Sequence, residues 1–277
     1  MNYKMIVTDL DGTLLNDDKK ISDEDVFVLN RLHNKGVQIV IATGRNYFMA
    51  KNLITQIKNI NPVILANNGA IIRKSETDEV LEQNYLNYKF FEEIYQQGLK
   101  YELNPIIHVD EYLNGYDIIY ENENIDEVYL GYIKNGDRRT KLKKFTQNEI
   151  NNILSVCYLS DLQELHNFYN EINKINDGKF NSICNLNIGK RAMLEFLHLD
   201  GCKWRALKKY AESLNIEPES IISFGDDNND IEMLKNSGLG ISMINGSRDC
   251  IKAGDKTSEF DNNNSGVSKE IRKYFHI

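Results

Sequence analysis

Thiols are scarce in this chain of 277 residues. The 4 cysteines, Cys157, Cys184, Cys202 and Cys250, are spread widely and form no Cys-x-x-Cys pair. That pattern excludes a disulfide frame or a cysteine zinc site and points to a reducing, cytoplasmic setting. The 5 histidines are equally dispersed, with no His-x-x-x-His spacing. No apolar run approaches the ~18 residues of a membrane-spanning helix, and the N-terminus enters an apolar strand without a signal-peptide pattern. Positive charge is in deficit, with 33 Lys and Arg against 41 Asp and Glu for a net charge of −8. This argues against nucleic acid or an anionic membrane as a general partner. A small anionic substrate is still possible, because local cations or a metal govern a pocket. Nucleotide-cofactor loops are missing too. Gly238-Leu-Gly240 lacks the third glycine of a dinucleotide fingerprint, and no Gly-x-x-x-x-Gly-Lys-Ser/Thr loop occurs.

What the chain does have begins at Met5-Ile-Val-Thr-Asp9-Leu-Asp11-Gly-Thr13. A short apolar run with the β-branched pair Ile6 and Val7 reads as a buried strand that stops at Asp9. Two carboxylates two residues apart at the end of such a strand are costly unless a cation or a proton offsets them. The spacing does not fit a helix-loop-helix calcium loop, because Gly12 is fourth and Thr13 fifth. Mg²⁺, which favours hard oxygen ligands and phosphate oxygens, suits the pair better.

Further along, Ser22 followed by Asp23, Glu24 and Asp25 starts a helix with a buried stripe of Val26, Leu29 and Leu32, ended at Gly36. Val37–Ala42 and Val63–Ala66 are apolar strands, separated by a helix from about Asn46. Strands with continuous apolar runs alternating with helices predict a parallel sheet covered on both faces. From about Gln83 aromatics thicken and the apolar runs shorten, while 182–188 alternates, with Cys184, Leu186 and Ile188 on one face. Residues 83–189 therefore read as an inserted α+β domain built on an antiparallel sheet with one open face, flanked by core segments 1–82 and 190–277. The first architecture resumes with a helix from Lys203, a strand at Ile221–Phe224, a helix around Met233 and Leu234, a strand at Leu239–Met243, and a terminal helix over 267–275. The expected fold class is α/β, a Rossmann-like doubly wound sheet carrying an inserted domain.

In such a sheet, ligands bind beyond the carboxyl ends of the strands. Asp9 and Asp11, Thr43, and Asp226, Asn229 and Asp230 each follow a strand, and Lys203 opens a helix. Carboxylates, a divalent cation and an ammonium group together suit a phosphoryl group.

The order of these motifs resembles that of the haloacid dehalogenase superfamily, and within it the Cof-type phosphatases. Asp9-Leu-Asp11-Gly-Thr13 resembles the first family motif, Thr43-Gly44-Arg45 the second, Lys203 the third and Gly225-Asp226-x-x-Asn229-Asp230 the fourth. Asn68-Gly69-Ala70 and Gly266-Val267 also stand where this subgroup has them. The resemblance implies a phosphatase core with an inserted cap, acting with Mg²⁺ on small phosphorylated metabolites such as sugar phosphates, nucleotides, flavin mononucleotide or pyridoxal phosphate. It implies Asp9 as the nucleophile of an aspartyl-phosphate and Asp11 as general acid and base. The implied metal set is Asp9, Asp11, Asp226 and Asp230 with the Leu10 carbonyl. Leu10, Thr43, Gly44, Lys203 and Asn229 are implied around the phosphate, with Arg45 and Trp204 toward substrate. Trp204, the only Trp, departs from the family pattern, which has Gly there; a packing role at the helix start is the alternative. Alternatives to hydrolysis are a phosphomutase-like transferase and a non-catalytic phospho-ligand-binding regulator. A monomer or homodimer is expected.

Overall fold

The computed structural model describes residues 3–121, 127–134, 138–188 and 191–277, with side chains for all of these but 127, 128 and 185–188. Strands β1 (Met5–Thr8), β2 (Gln38–Ala42), β3 (Val63–Ala66), β4 (Ile71–Lys74) and β5 (Val80–Gln83) come first. Then follow β6 (Ile106–Val109), β7 (Ile118–Tyr120), β8 (Thr140–Leu142), β9 (Ile153–Ser160), β10 (Phe180–Ile188) and β11 (Arg191–His198). The chain ends with β12 (Ile221–Gly225), β13 (Leu239–Ser242) and β14 (Lys256–Thr257). The helices are α1 (Asp23–Asn34), α2 (Tyr47–Ile54), α3 (Tyr88–Lys100), α4 (Glu127–Lys134), α5 (Leu162–Asn176), α6 (Lys203–Ser213), α7 (Ile231–Asn236), α8 (Arg248–Ala253) and α9 (Gly266–Arg272). Two compact units result, one from Met1–Gln83 with Cys202–Ile277, the other from Asn84–Gly201.

The first unit is a sheet in the order β14-β13-β12-β1-β2-β3-β4-β5. It is parallel from β14 to β3 and antiparallel over β3-β4-β5. β1 is central, with Thr8 level with Phe224 on one side and Ile41 on the other. The carboxyl ends of β12, β1 and β2 therefore stop side by side, and the residues just beyond them emerge together. Met5, Val7, Val40, Ala42 and Leu65 pack under α6 through Ala206, Leu207 and Ala211. Helix α1 starts as its sequence implies. The Ser22 side chain accepts the Asp25 N–H at 3.0 Å, and three acids occupy the first turn. Its buried stripe is Val28, Leu29 and Leu32; Val26 is only half-buried. Asp25 is buried as well, because its carboxylate also accepts the Ser268 N–H of α9 at 2.9 Å.

The second unit is a sheet in the order β10-β11-β9-β6-β7-β8, antiparallel except for the β7-β8 pair. It runs to Gly201, beyond the expected 189, because the apolar segment Arg191–His198 pairs with β9 and β10 and is not a return to the first sheet. One sheet face packs on α3 and α5, where Phe91, Tyr158, Phe168 and Phe196 form an aromatic cluster; Tyr158 and Phe168 stand edge to face with centroids 4.9 Å apart. An open second face was expected. Instead Tyr129 and Ile133 of α4 cover Ile106, Ile118, Cys157, Leu159 and Met193 there. The expected alternation over 182–188 falls mostly on side chains outside those described, and Cys184 itself is exposed. The basic run at 138–144 lies along β8. Arg139 bonds both Asp117 oxygens at 2.7 Å, and Arg138 lies 4.0 Å from the Tyr132 ring centre.

His108 on β6 is 5% exposed, with Nε2 3.2 Å from the Tyr132 hydroxyl. Burial, reinforced by the Arg138 charge, pushes its imidazole down to about 3. A histidine with a depressed folded value takes up its proton in the unfolded chain first. Stability present at neutral pH is therefore lost as pH falls from ~6.5 toward the folded value, at up to ~1.4 kcal/mol per pH unit. Denaturant unfolding of the wild type and His108→Gln between pH 6 and pH 4 should show the steeper loss only in the wild type. Parallel slopes would contradict this.

Candidate active site

Asp9 leaves β1 buried, with its N–H donated to the Phe224 carbonyl at 3.1 Å. Asp226 follows β12, and Asp230 closes a capping box with Asp227 one turn later. Carboxylate oxygens of Asp9, Asp226 and Asp230 lie within 4.8 Å of one another. Lys203, the first residue of α6 and 1% exposed, donates to Asp9 Oδ1 and to Asp230 Oδ1, both at 2.7 Å. One ammonium thus faces three acids.

The titration of these groups records that imbalance. Burial is the main reason Asp9 rises well above the ordinary carboxyl range; Asp230 and Asp226 push it further, against the opposing charge of Lys203. Asp226 rises to about 7, first through burial and then through the Asp230 charge, with the Thr13 hydrogen bond opposing. Burial works against charge on Lys203, yet Asp230 and Asp9 outweigh it and hold the ammonium above its ordinary value. Hard oxygen donors with excess negative charge, set within a few ångströms of each other, fit a divalent cation such as Mg²⁺. The Asp230 oxygens are otherwise engaged, since Oδ2 accepts the N–H groups of Asp226 and Asp227 at 3.1 and 3.2 Å. Asp9 and Asp226 are left as the freer pair.

Three expected contacts are not borne by this geometry. Asp11 stands apart from the carboxylate cluster. Arg45 Nε and Nη2 reach its two oxygens at 2.5 and 2.7 Å, and Lys19 Nζ lies 2.7 Å from Oδ1. Burial would raise Asp11, but these hydrogen bonds and charges hold it down at about 2. The Leu10 carbonyl accepts the Leu15 N–H at 2.8 Å and the Thr13 N–H at 3.4 Å, closing the turn, and the Leu10 side chain is fully buried. Its carbonyl is occupied in shaping the turn. Trp204 packs among Met5, Val7, Ala206 and Leu207 at the start of α6, the alternative its position allowed.

The second motif is in place. Thr43 is buried, its Oγ1 accepts the Arg45 N–H at 3.1 Å, and Gly44 lies close to Asn229, where an added Cβ would stand 3.7 Å from Nδ2. Arg45 meets Asp11 as a bidentate pair, which sequence spacing alone did not indicate. Sequence reasoning also passed over two residues. Thr13 donates to Asp226 Oδ1 at 2.9 Å, and Gly12 leaves room for Asp226: it has φ +74°, and a Cβ there would sit 2.3 Å from Oδ2. Both stood in the quoted first motif. Lys19 carried no signal beyond a polar loop.

Comparison with known proteins gives a consistent answer. A family model described as haloacid dehalogenase-like hydrolase matches residues 6–271. Among curated proteins, the 5-amino-6-(5-phospho-D-ribitylamino)uracil phosphatase YcsE of Bacillus subtilis is 28% identical over 291 residues, covering 99% of this chain and 96% of that one. A second Bacillus subtilis protein of the same activity name, YitU, is 24% identical over 291 residues, covering 99% and 98%. The crystal structure of a haloacid dehalogenase-like hydrolase from Bacteroides thetaiotaomicron superposes with a TM-score of 0.82 at 26% identity, covering 99% of this chain and 100% of that one.

Proposed function

The chain belongs to the haloacid dehalogenase-like hydrolases and is a phosphoric monoester hydrolase; from that premise we propose that it cleaves small phosphorylated metabolites with Mg²⁺ through an aspartyl-phosphate. The observation that carries this reading is the fully buried Lys203 ammonium, 2.7 Å from Asp9 Oδ1, beside three clustered acids. That arrangement suits a carboxylate that attacks phosphorus while its surroundings absorb charge.

Asp9 and Asp226 would hold Mg²⁺, with Asp230 behind them. When bound, the cation neutralises charge on the phosphoryl oxygens and on the carboxylates. The other roles belong to the chain. Lys203 orients Asp9 and faces the phosphoryl group. Thr43, the Gly44 N–H and Asn229 hydrogen-bond its oxygens. An Asp9 oxygen forms the bond to phosphorus as the ester oxygen leaves, and Asp11, having parted from Arg45 and Lys19 and taken a proton from solvent, supplies that proton to the leaving oxygen. Asp11 then takes a proton from the water that cleaves the acyl phosphate. Arg45 and Lys19 keep Asp11 aimed in the resting state. A transferase would need a second hydroxyl in place of that water, and a binding regulator would have no use for Asp11.

The candidate substrates are sugar phosphates, nucleotides and phosphorylated cofactors. The two Bacillus subtilis relatives add a phosphorylated ribitylamino-uracil to the panel. Phosphate release over such a panel tests the reading. Turnover is expected with Mg²⁺, with rates falling at least about 100-fold in excess EDTA. Equal rates in EDTA would remove the cation from the proposal, and binding without release would favour the regulator.

A further inference from the structure

The segment Asn67-Asn68-Gly69, just past β3, takes no part in the chemistry above. All three residues are buried and left-handed, with φ of 47°, 55° and 96°. Asparagine tolerates that region better than most side chains, but three such residues in succession persist only where the surroundings over-determine them. Here they are held on every side. The Asn67 N–H donates to the Arg45 carbonyl at 2.9 Å and the Asn68 N–H to the Thr43 carbonyl at 3.0 Å, gripping both ends of the second motif. Asn68 Oδ1 accepts from Asn229 Nδ2 at 2.9 Å, reaching the fourth motif. A Cβ on Gly44 would lie 3.2 Å from Asn68 Oδ1, so this amide pair lies against the Gly44 backbone. A Cβ on Gly69 would lie 2.6 Å from the carbonyl of Cys202, the residue before Lys203. One strained turn therefore touches three of the loops that carry the site.

We propose that Asn68 is a positioning residue for phosphoryl transfer: its side chain holds the Asn229 amide against Gly44, so that both present fixed hydrogen-bond groups before substrate arrives. This rests on the phosphatase reading. Preorganised donors act chiefly in the transition state, so the loss falls on kcat more than on KM. Because Asn68 acts through Asn229, its removal matters only while Asn229 is present.

Asn68→Gly deletes the amide and relaxes the left-handed backbone, which keeps folding out of the result. With a substrate found in the panel, Asn68→Gly should lower kcat/KM about tenfold, mostly in kcat. In an Asn229→Ala background the same change should cost less than about twofold. Multiplying losses, or an unchanged rate in Asn68→Gly alone, would overturn the proposal. Hydrogen–deuterium exchange without substrate provides an arm that needs no turnover. Residues 43–45 and 225–230 should exchange faster in Asn68→Gly, and unchanged exchange in both would overturn the coupling. If the wild type hydrolyses no ester, the phosphatase reading falls by itself, and the exchange result still decides whether Asn68 ties these loops together.

Discussion

Asp9→Asn should abolish phosphate release, lowering kcat by at least ~10⁴-fold, the scale seen when a nucleophile that works as part of a unit is removed. The same variant should raise the unfolding midpoint of the metal-free protein at neutral pH. Both effects come from one piece of geometry. Asp9 is 5% exposed and shares its surroundings with Asp226 and Asp230. Burial first, and then those neighbouring charges, raise its carboxyl well above the ordinary range. A carboxyl whose folded value is raised binds more protons folded than unfolded, so its ionisation takes stability away as pH rises. An amide removes that burden and still offers an oxygen to Lys203, which keeps Asp230 as its other partner. Under the proposed mechanism, what is lost is the attacking carboxylate. Differential scanning calorimetry in EDTA and a phosphate-release assay in Mg²⁺ check the two halves separately. An inactive variant that also melts earlier would mean that Asp9 is a structural anchor. Wild-type turnover would remove it from the chemistry altogether.

The parts of this site that follow strands were legible beforehand, because a buried apolar run ending in a carboxylate is a costly pattern that needs a reason. Asp9 and Asp226 are of that kind, and Thr43 stands at the same place beyond β2. The partners that cross from one loop to another were not legible. Arg45 reaches Asp11 over 34 positions, and Asn68 reaches Asn229 over 161; no local periodicity encodes either pairing. The same limit governed the second unit. Arg191–His198 has an apolar pattern that fits either sheet, and only its pairing with β9 and β10 assigns it. Helix α4 escaped notice because, among the described residues, Tyr129 and Ile133 are its fully buried side chains, one turn apart, with Tyr132 half-buried beside them. Trp204 was ambiguous because a residue at a helix start can turn inward or toward a ligand with equal local cost.

Lys203→Met should destabilise the first unit strongly. Its ammonium is wholly buried and lies 2.7 Å from both Asp9 and Asp230. Removing one partner of a buried ion pair typically costs ~3–5 kcal/mol, because the charge left behind has neither water nor a counter-ion. Methionine fills the volume, so the loss is electrostatic and not a cavity. The deficit should be reversible in two ways. Acidification is the first. With the ammonium gone, the raised carboxyls protonate as pH falls through the region of Asp226, about 7, and each proton bound in the folded state adds stability. Mg²⁺ is the second: with Lys203 gone the uncompensated carboxylates should bind the cation more tightly than the wild type does, and a cation bound only by the folded protein stabilises it by mass action, by ~2.7 kcal/mol at a hundredfold excess over Kd. Denaturant unfolding of wild type and Lys203→Met at pH 8 and pH 6, each with and without Mg²⁺, separates these terms. The gap should be widest at pH 8 without metal and should narrow under either remedy. A gap indifferent to both would mean that Lys203 contributes packing alone. In that case it could not orient Asp9 by charge, and the buried ammonium would lose its place in the phosphoryl site.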